Sequence, residues 1–204
     1  MLRSVTTPFE PVESHATDET DHRSIRSDAQ RNHIRLVIAA RTVFTREGTD
    51  ASMEAIAHEA GVGAGTLYRH FPHRIDLVEA VYQNDVEELL LAAEKAVANF
   101  APWEALVNWL DSFLQYSLGK RVFLAELRES FEKNPELKLS SRERVEQSFT
   151  LVLENAQHAG VARRDIDGSD LMLLVGGMCT SPTLVKEKGE RLLATVLDGI
   201  RVTD

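Results

Sequence analysis

The sequence predicts an all-α protein of about nine helices, and three observations carry that expectation. Apolar residues recur at spacings of three and four from Asp28 almost to the end of the chain. No stretch alternates apolar and polar side chains between hairpin turns, as a half-buried strand requires. Glycine and proline interrupt the pattern at helix-length intervals, as stops and starts.

Taken in order, residues 1–27 are rich in Pro, Thr, Ser and acids without periodicity and read as a mobile tail. From Asp28 a first helix carries Ile34, Val37, Ile38, Ala40, Val43 and Phe44 to a stop at Gly48. Ser52 is placed to cap a short helix bearing Met53, Ile56 and Ala57 and ended by Gly61. Ala55 stands where a reciprocal cap needs Glu or Gln, so the cap is one-sided. A second short helix runs from Gly63 to His70, with Leu67 and Phe71 as its apolar face and Pro72 as its end. Longer helices follow: Arg74 to about Phe100, Pro102 to Gly119, and Lys120 to Lys133, where Pro135 is a stop. The next starts at Ser140 or Ser141 and reaches Gly160; another runs from Asp167 or Ser169 to the break at Pro182. The last spans about Glu187 to Arg201.

Composition narrows the class. Hydrophobic residues are 43% and charged ones 27% of the 204, which excludes collagen-like and fully disordered chains. The one cysteine, Cys179, forms no intrachain disulfide, and no apolar run approaches the roughly 18 residues of a membrane helix. Pro8, Glu10, Pro11 and Glu13 interrupt any signal-peptide core, so a cytoplasmic protein without membrane contact is expected. Net charge is −9, but unevenly spread: residues 31–74 carry net +2 and four of the seven His, while residues 75–204 carry net −8. A locally basic module on an acidic body points to an anionic partner for one end only.

Residues 51–70 supply the motif. Two short amphipathic helices meet at a turn holding Gly61, the grammar of a helix-turn-helix, in which the second helix enters the DNA major groove. That helix would present Thr66, Tyr68, Arg69 and His70 while Leu67 and Phe71 face inward. Hydroxyls, a guanidinium and an imidazole on one short face suit phosphate and base-edge contacts.

The stretch IAARTVFTREGTDASMEAIAHEAGVGAGTLYRHFPHRIDLVEAV, residues 38–81, resembles the N-terminal domain of the tetracycline-repressor (TetR) family of transcriptional regulators. Its core, AGVGAGTLYRHF with a basic residue following at Arg74, is the most specific part. Trp103-Glu104-Ala105-Leu106 and the ending LLATVLDGIR resemble the SbtR-like subgroup. The resemblance implies a DNA-binding domain at 28–74, a ligand-binding and dimerisation domain at 75–204, and double-stranded operator DNA as partner. It implies a repressor released by a small-molecule effector. Residue by residue, it assigns Ser52 to phosphate, Thr66, Tyr68 and His70 to phosphate or sugar, and Arg74 to the place of a phosphate-binding lysine. Arg69 projects towards bases. Gly63 and Ala64 depart from the family, where Ser and Lys are common, so Gly63 offers only its backbone N–H. Readout then shifts towards Arg69 and the tail arginines, Arg26 among them.

Two readings stand for the aromatic set Trp109, Phe113, Tyr116, Phe123 and Phe149. Ordinary core packing is one; the resemblance adds a ligand cavity between the fifth, sixth and seventh helices, with Gln115 and Gln147 as polar groups. The acidic body favours a neutral or cationic effector. For homodimerisation, Leu171, Leu174, Val175 and Met178 give one apolar face, with Gly176 and Gly177 beside them, and Leu193, Val196, Leu197 and Ile200 give another. Two such helices per subunit make a four-helix interface, although the same faces could pack within the subunit. Gly61, Gly63 and Gly65 follow a helix and lack dinucleotide-loop spacing, His58-Glu59 lacks the second His of a zinc motif, and no Ser, His and acid fall in a catalytic order. No catalysis, metal or cofactor is expected. A helical-bundle enzyme or a protein-binding adaptor with an incidental helix-turn-helix are the rivals.

Overall fold

The computed structural model describes the backbone of residues 18–202 and the side chains from Asp28 onward, apart from Thr49 and Val122. Among the described residues there are nine α-helices: α1 (Asp18–Glu47), α2 (Met53–Glu59), α3 (Ala64–His70), α4 (Arg74–Asn99), α5 (Pro102–Gly119), α6 (Leu124–Lys133), α7 (Pro135–His158), α8 (Gly168–Cys179) and α9 (Lys186–Ile200). Tight 3-10 turns at Gly48–Asp50 and Lys120–Phe123 follow α1 and α5. The only strand-like feature among them is one backbone pair, Ala162 with Arg201, which ties the end of the chain to the loop after α7. None of these helices is long and apolar enough to cross a membrane.

α4 is the spine. It packs against α1 on the side of the short helices and against α5, α6 and α7 in the body. Leu77, Val78, Val81, Val86 and Ala93 bury its apolar stripe in one continuous core. The same core takes Leu36, Val37, Ala40, Val43 and Phe44 from α1. Ile34 and Ile38, assigned to that face by spacing, are exposed instead. The α1 stripe is centred on Leu36, Ala40 and Val43, which leaves both isoleucines beyond its edge.

Two helix starts differ from the sequence reading. α1 begins at Asp18, so residues 18–27 are helical rather than tail, and residues 1–17 lie outside the described residues. Propagation from a packed segment needs no apolar periodicity of its own, which is why the pattern did not mark this part. Pro135 opens α7 instead of only closing α6: it occupies the first turn, and Asn134 Oδ1 accepts from Leu137 N at 3.2 Å. Proline's missing N–H costs nothing in a first turn. At α8 Asp167 is the cap, its carboxylate accepting from Asp170 N at 2.9 Å while Asp170 returns the bond to Asp167 N.

Glycine matters where α8 meets α7. A Cβ on Gly168 would fall 2.7 Å from the Thr150 backbone, closer than any side chain tolerates, so only glycine permits this approach. Beyond α8, Arg121 donates to the carbonyls of Leu184 (2.6 Å), Cys179 (3.0 Å) and Ser181, holding the chain reversal into α9.

Candidate nucleic-acid interface and cavities

α2 and α3 have seven residues each, too short to persist alone, so packing must hold them. Leu67 and Phe71 are buried in the core, α3 packing on α2 and the Phe71 ring lying 4.9 Å from that of His33 on α1, each contributing roughly 1.5–3 kcal/mol of apolar burial. The turn between the helices is built by hydrogen bonds: Val62 N donates to Ala57 O and Gly61 N to His58 O, both at 3.0 Å. This double closure of a helix end needs a left-handed residue, and Gly61 supplies it at φ +64°. Arg35 of α1 braces the turn by donating to Ala60 O at 2.6 Å. Ser52 Oγ accepts from Ala55 N at 3.0 Å, the one-sided cap expected.

The outer face of α3 presents the expected residue types. Tyr68 is 43% exposed, and its hydroxyl donates to Glu54 Oε1 at 3.2 Å. Arg69 is exposed and lies back along its own helix, donating to Gly65 O at 3.1 Å and Thr66 Oγ1 at 3.2 Å. Among the described residues its guanidinium meets no carboxylate. Gly63, Ala64 and Gly65 are exposed, and a Cβ on either glycine would meet nothing within 4 Å. His70 is half-buried, its ring 6.0 Å from that of His33 on α1. Burial, and secondarily the nearby His70, lower the His33 pKa below the ordinary histidine value. The Arg26 side chain lies outside the described residues.

Arg74, expected at a phosphate, has partners within the protein. Its side chain is 27% exposed. Nε donates to Glu126 Oε1 of α6 at 2.7 Å, Nη1 donates to Ala51 O, and the guanidinium lies 4.8 Å from the centre of the Phe44 ring.

Two cavities in the body, among the described residues, involve the expected ligand contacts. One, of about 550 Å³, lies at the seam where α1 meets α4 and α5, with Arg41, Asp85, Glu88, Asp111, Tyr116 and Phe123 on its walls. Here Arg41 pairs with Glu88 and sits 3.2 Å from Asp85 Oδ1, which nevertheless accepts no hydrogen bond. Burial raises the Asp85 carboxyl to about 6, against the opposing pull of Arg41. The second cavity, of about 320 Å³, lies between α4, α5, α7 and α8. Tyr82, Phe113, Tyr116 and Lys120 are on its walls.

The aromatic set therefore divides. Phe113 and Tyr116 reach the second cavity, and Tyr116 and Phe123 the first. Trp109 and Phe149, expected as ligand contacts, line neither: both are fully buried, with rings 4.7 Å apart and perpendicular. Trp109 Nε1 spends its one donor on Leu89 O at 3.0 Å. These two are core. Gln115 lines the seam cavity, while Gln147 lies on an open groove along α7.

The expected dimer faces divide as well. Leu171, Val175, Leu193 and Ile200 are buried within the subunit, because α8 packs on α5 and α7, and α9 packs on α5 and α8. Leu174 stays 51% exposed, and Met178, Val196 and Leu197 are half-buried. The sequence reading passed over Leu173, at 72% the most exposed large apolar side chain among the described residues. It also missed Lys120 and Tyr82 as cavity residues. Lys120 sits in a 3-10 turn that periodicity does not register, and Tyr82 reads as one more member of the α4 stripe.

Residues 36–81 match the family model for bacterial regulatory proteins of the tetR family, and residues 101–202 match the SbtR-like transcriptional regulator C-terminal domain. A TetR transcriptional regulator from Streptomyces coelicolor is similar at 36% identity and TM-score 0.74, over 84% of this chain and 99% of that one. A TetR transcription regulatory protein from Mycobacterium vanbaalenii is similar at 29% identity and TM-score 0.70, over 87% and 99%. An HTH-type transcriptional regulator of Staphylococcus aureus is 33% identical over 102 residues, 49% of this chain. The match thus spans about half the length, 55%, of that curated relative.

Proposed function

Because the chain belongs to the TetR family of transcriptional regulators, with an SbtR-like C-terminal domain, we propose that it is a homodimeric repressor released from operator DNA by a small molecule. The observation that carries the DNA-binding part is α3, held by buried Leu67 and Phe71 so that Arg69, without a carboxylate partner among the described residues, and Tyr68 face outward beside Thr66. In this reading α1 to α3 contact DNA and α4 to α9 bind effector and partner subunit. Arg69 reads base edges, and Ser52, Thr66, Tyr68 and His70 position the helix on phosphates. Gly63 and Ala64 let the backbone approach closely.

Release works through α4. Tyr82 lines the smaller cavity and Leu89 the seam cavity, while the Arg74 end of the same helix follows directly on α3. A ligand that favours one setting of α4 resets the spacing of the two recognition helices in a dimer, which must sit about 34–36 Å apart on DNA. By linkage the ligand lowers DNA affinity by the same free energy by which DNA lowers its own, typically ~1–3 kcal/mol. An electrophoretic shift with DNA upstream of the protein's own coding region tests the reading. A retarded band whose sequence selectivity Arg69→Ala weakens is expected; no salt-sensitive, sequence-selective binding to that DNA defeats it.

A further inference from the structure

The smaller of the two cavities that α4 lines has a charge opposite to that of the body around it. Lys120, Lys138 and Arg142 are on its walls, and among the described residues no Asp or Glu lines it. The seam cavity is the reverse, with Asp85, Glu88 and Asp111 against a single Arg41 already paired to two of them. A net charge of −8 over residues 75–204 thus says little about what either site attracts.

Lys120 is the central group. Its side chain is half-buried, its ammonium lies 4.8 Å from the centre of the Tyr116 ring, and among the described residues it pairs with no carboxylate. Burial pulls its pKa below the ordinary lysine value, the mark of an ammonium short of counter-charge. The Tyr82, Tyr116 and Ser141 side chains share the same wall as Lys120, so their hydroxyls are the neighbouring polar groups. The remaining surface is largely apolar, from Phe113, Val145 and Met172. Lys138 and Arg142 are exposed, so they steer an incoming anion without being desolvated.

We infer that this cavity takes a small organic carboxylate on an aromatic or short aliphatic body, with Lys120 as its counter-ion and the Tyr82–Tyr116 hydroxyls as further polar contacts. A monoanion matches one sheltered ammonium. A phosphate dianion needs a second sheltered counter-charge, whereas Lys138 and Arg142 are exposed to solvent and Phe113 and Val145 offer it none. A cationic ligand would meet three like charges. The inference rests on the effector reading only for its regulatory meaning, since binding is measured without DNA.

The test is calorimetry of the full chain with three probes of one shape and different charge: phenylbutyrate, phenylbutyramide and phenylbutylamine. Phenylbutyrate is expected to bind about tenfold or more tighter than the amide, as a charge-assisted contact requires, and the amine least of all. Lys120→Met should remove that advantage while weakening the amide far less, with far-UV circular dichroism showing that the variant folds; Lys120→Arg should restore it. Tighter binding of the amine, equal effects of Lys120→Met on acid and amide, or no binding of any probe at millimolar concentration overturns the inference. Phenylbutyrate bound at this site without loss of DNA affinity upholds the anion site and defeats only the effector reading. Amine-driven DNA release with no phenylbutyrate binding does the opposite.

Discussion

Arg74 and Glu126 form an ion pair, 2.7 Å from Nε to Oε1, that joins the first residue of α4 to α6. The same guanidinium reaches Ala51 O and the face of Phe44, so one side chain touches α1, the entry to α2, and the body. Its exposure of 27%, matched by 28% at Glu126, places the pair between a surface bridge and a buried one. A contact of this kind ties the start of α4 to both the short helices and the body.

Arg74→Ala should therefore act on stability. Losing two charge-assisted hydrogen bonds and a cation–π contact costs about 2–4 kcal/mol, and leaves Glu126 unpaired in a half-buried site. Arg74→Lys should recover only part, because an ammonium cannot hold both partners in a fork. Denaturant unfolding reads the loss directly. Where the variant is still folded, the salt slope of DNA binding should stay unchanged; a slope lower by about one phosphate's worth would restore the phosphate contact.

Asp85 predicts a pH dependence. Burial lifts its folded pKa from 3.8 to about 6, Arg41 opposing and Glu88 adding repulsion. Between about pH 4 and 6 the native state holds a proton that the unfolded chain has released. Stability therefore falls as pH rises through that window, by up to about 3 kcal/mol for a shift of this size. Asp85→Asn should flatten that part of the profile and make the protein more stable at neutral pH. An unchanged profile, or a less stable variant at neutral pH, would mean that the Arg41 pairing outweighs the burial.

The difference between what was legible in the sequence and what was not has a physical basis. α2, α3 and their turn were readable because each signal is local: a cap at Ser52, a left-handed glycine at Gly61, and Leu67 and Phe71 four apart. The partners of Arg74 were not legible, because Glu126 stands 52 positions away and the pairing depends on which way a long side chain turns. Trp109 and Phe149 show the same limit from the other side. Helical spacing says that they face inward, but whether inward means core or cavity depends on how α4, α5 and α7 converge. Lys120 carried no signal at all; only the fold brings it beside Tyr116.

On DNA, Arg69→Ala should relax base preference at one position by ~1–3 kcal/mol, with little change in the salt slope. Tyr68→Phe should weaken binding to all sequences alike. Glu54 adds a contrast, since its carboxylate sits 3.2 Å from the Tyr68 hydroxyl on the same exposed face. Glu54→Gln should strengthen binding most at low salt, by removing a like charge from beside the phosphates. Fluorescence anisotropy over a salt series separates the three; identical losses for operator and random DNA with Arg69→Ala would remove that residue from base readout.

Dimerisation should run through the part of α8 and α9 that the subunit leaves open. Leu173 and Leu174 project from α8 at 72% and 51% exposure, and Val196 and Leu197 of α9 are half-buried. Leu193 and Ile200 on α9 already belong to the core, so the two faces of that helix answer different questions. Leu174→Arg combined with Val196→Arg should give a folded monomer, raising the dimer dissociation constant at least ~100-fold by placing charges where a four-helix interface must be dry. Leu193→Arg should instead unfold the subunit, because it sets a charge inside the core. Sedimentation equilibrium with far-UV circular dichroism distinguishes the two outcomes. A wild-type chain that stays monomeric at micromolar concentration, or a double variant that remains dimeric, would move the interface away from α8 and α9.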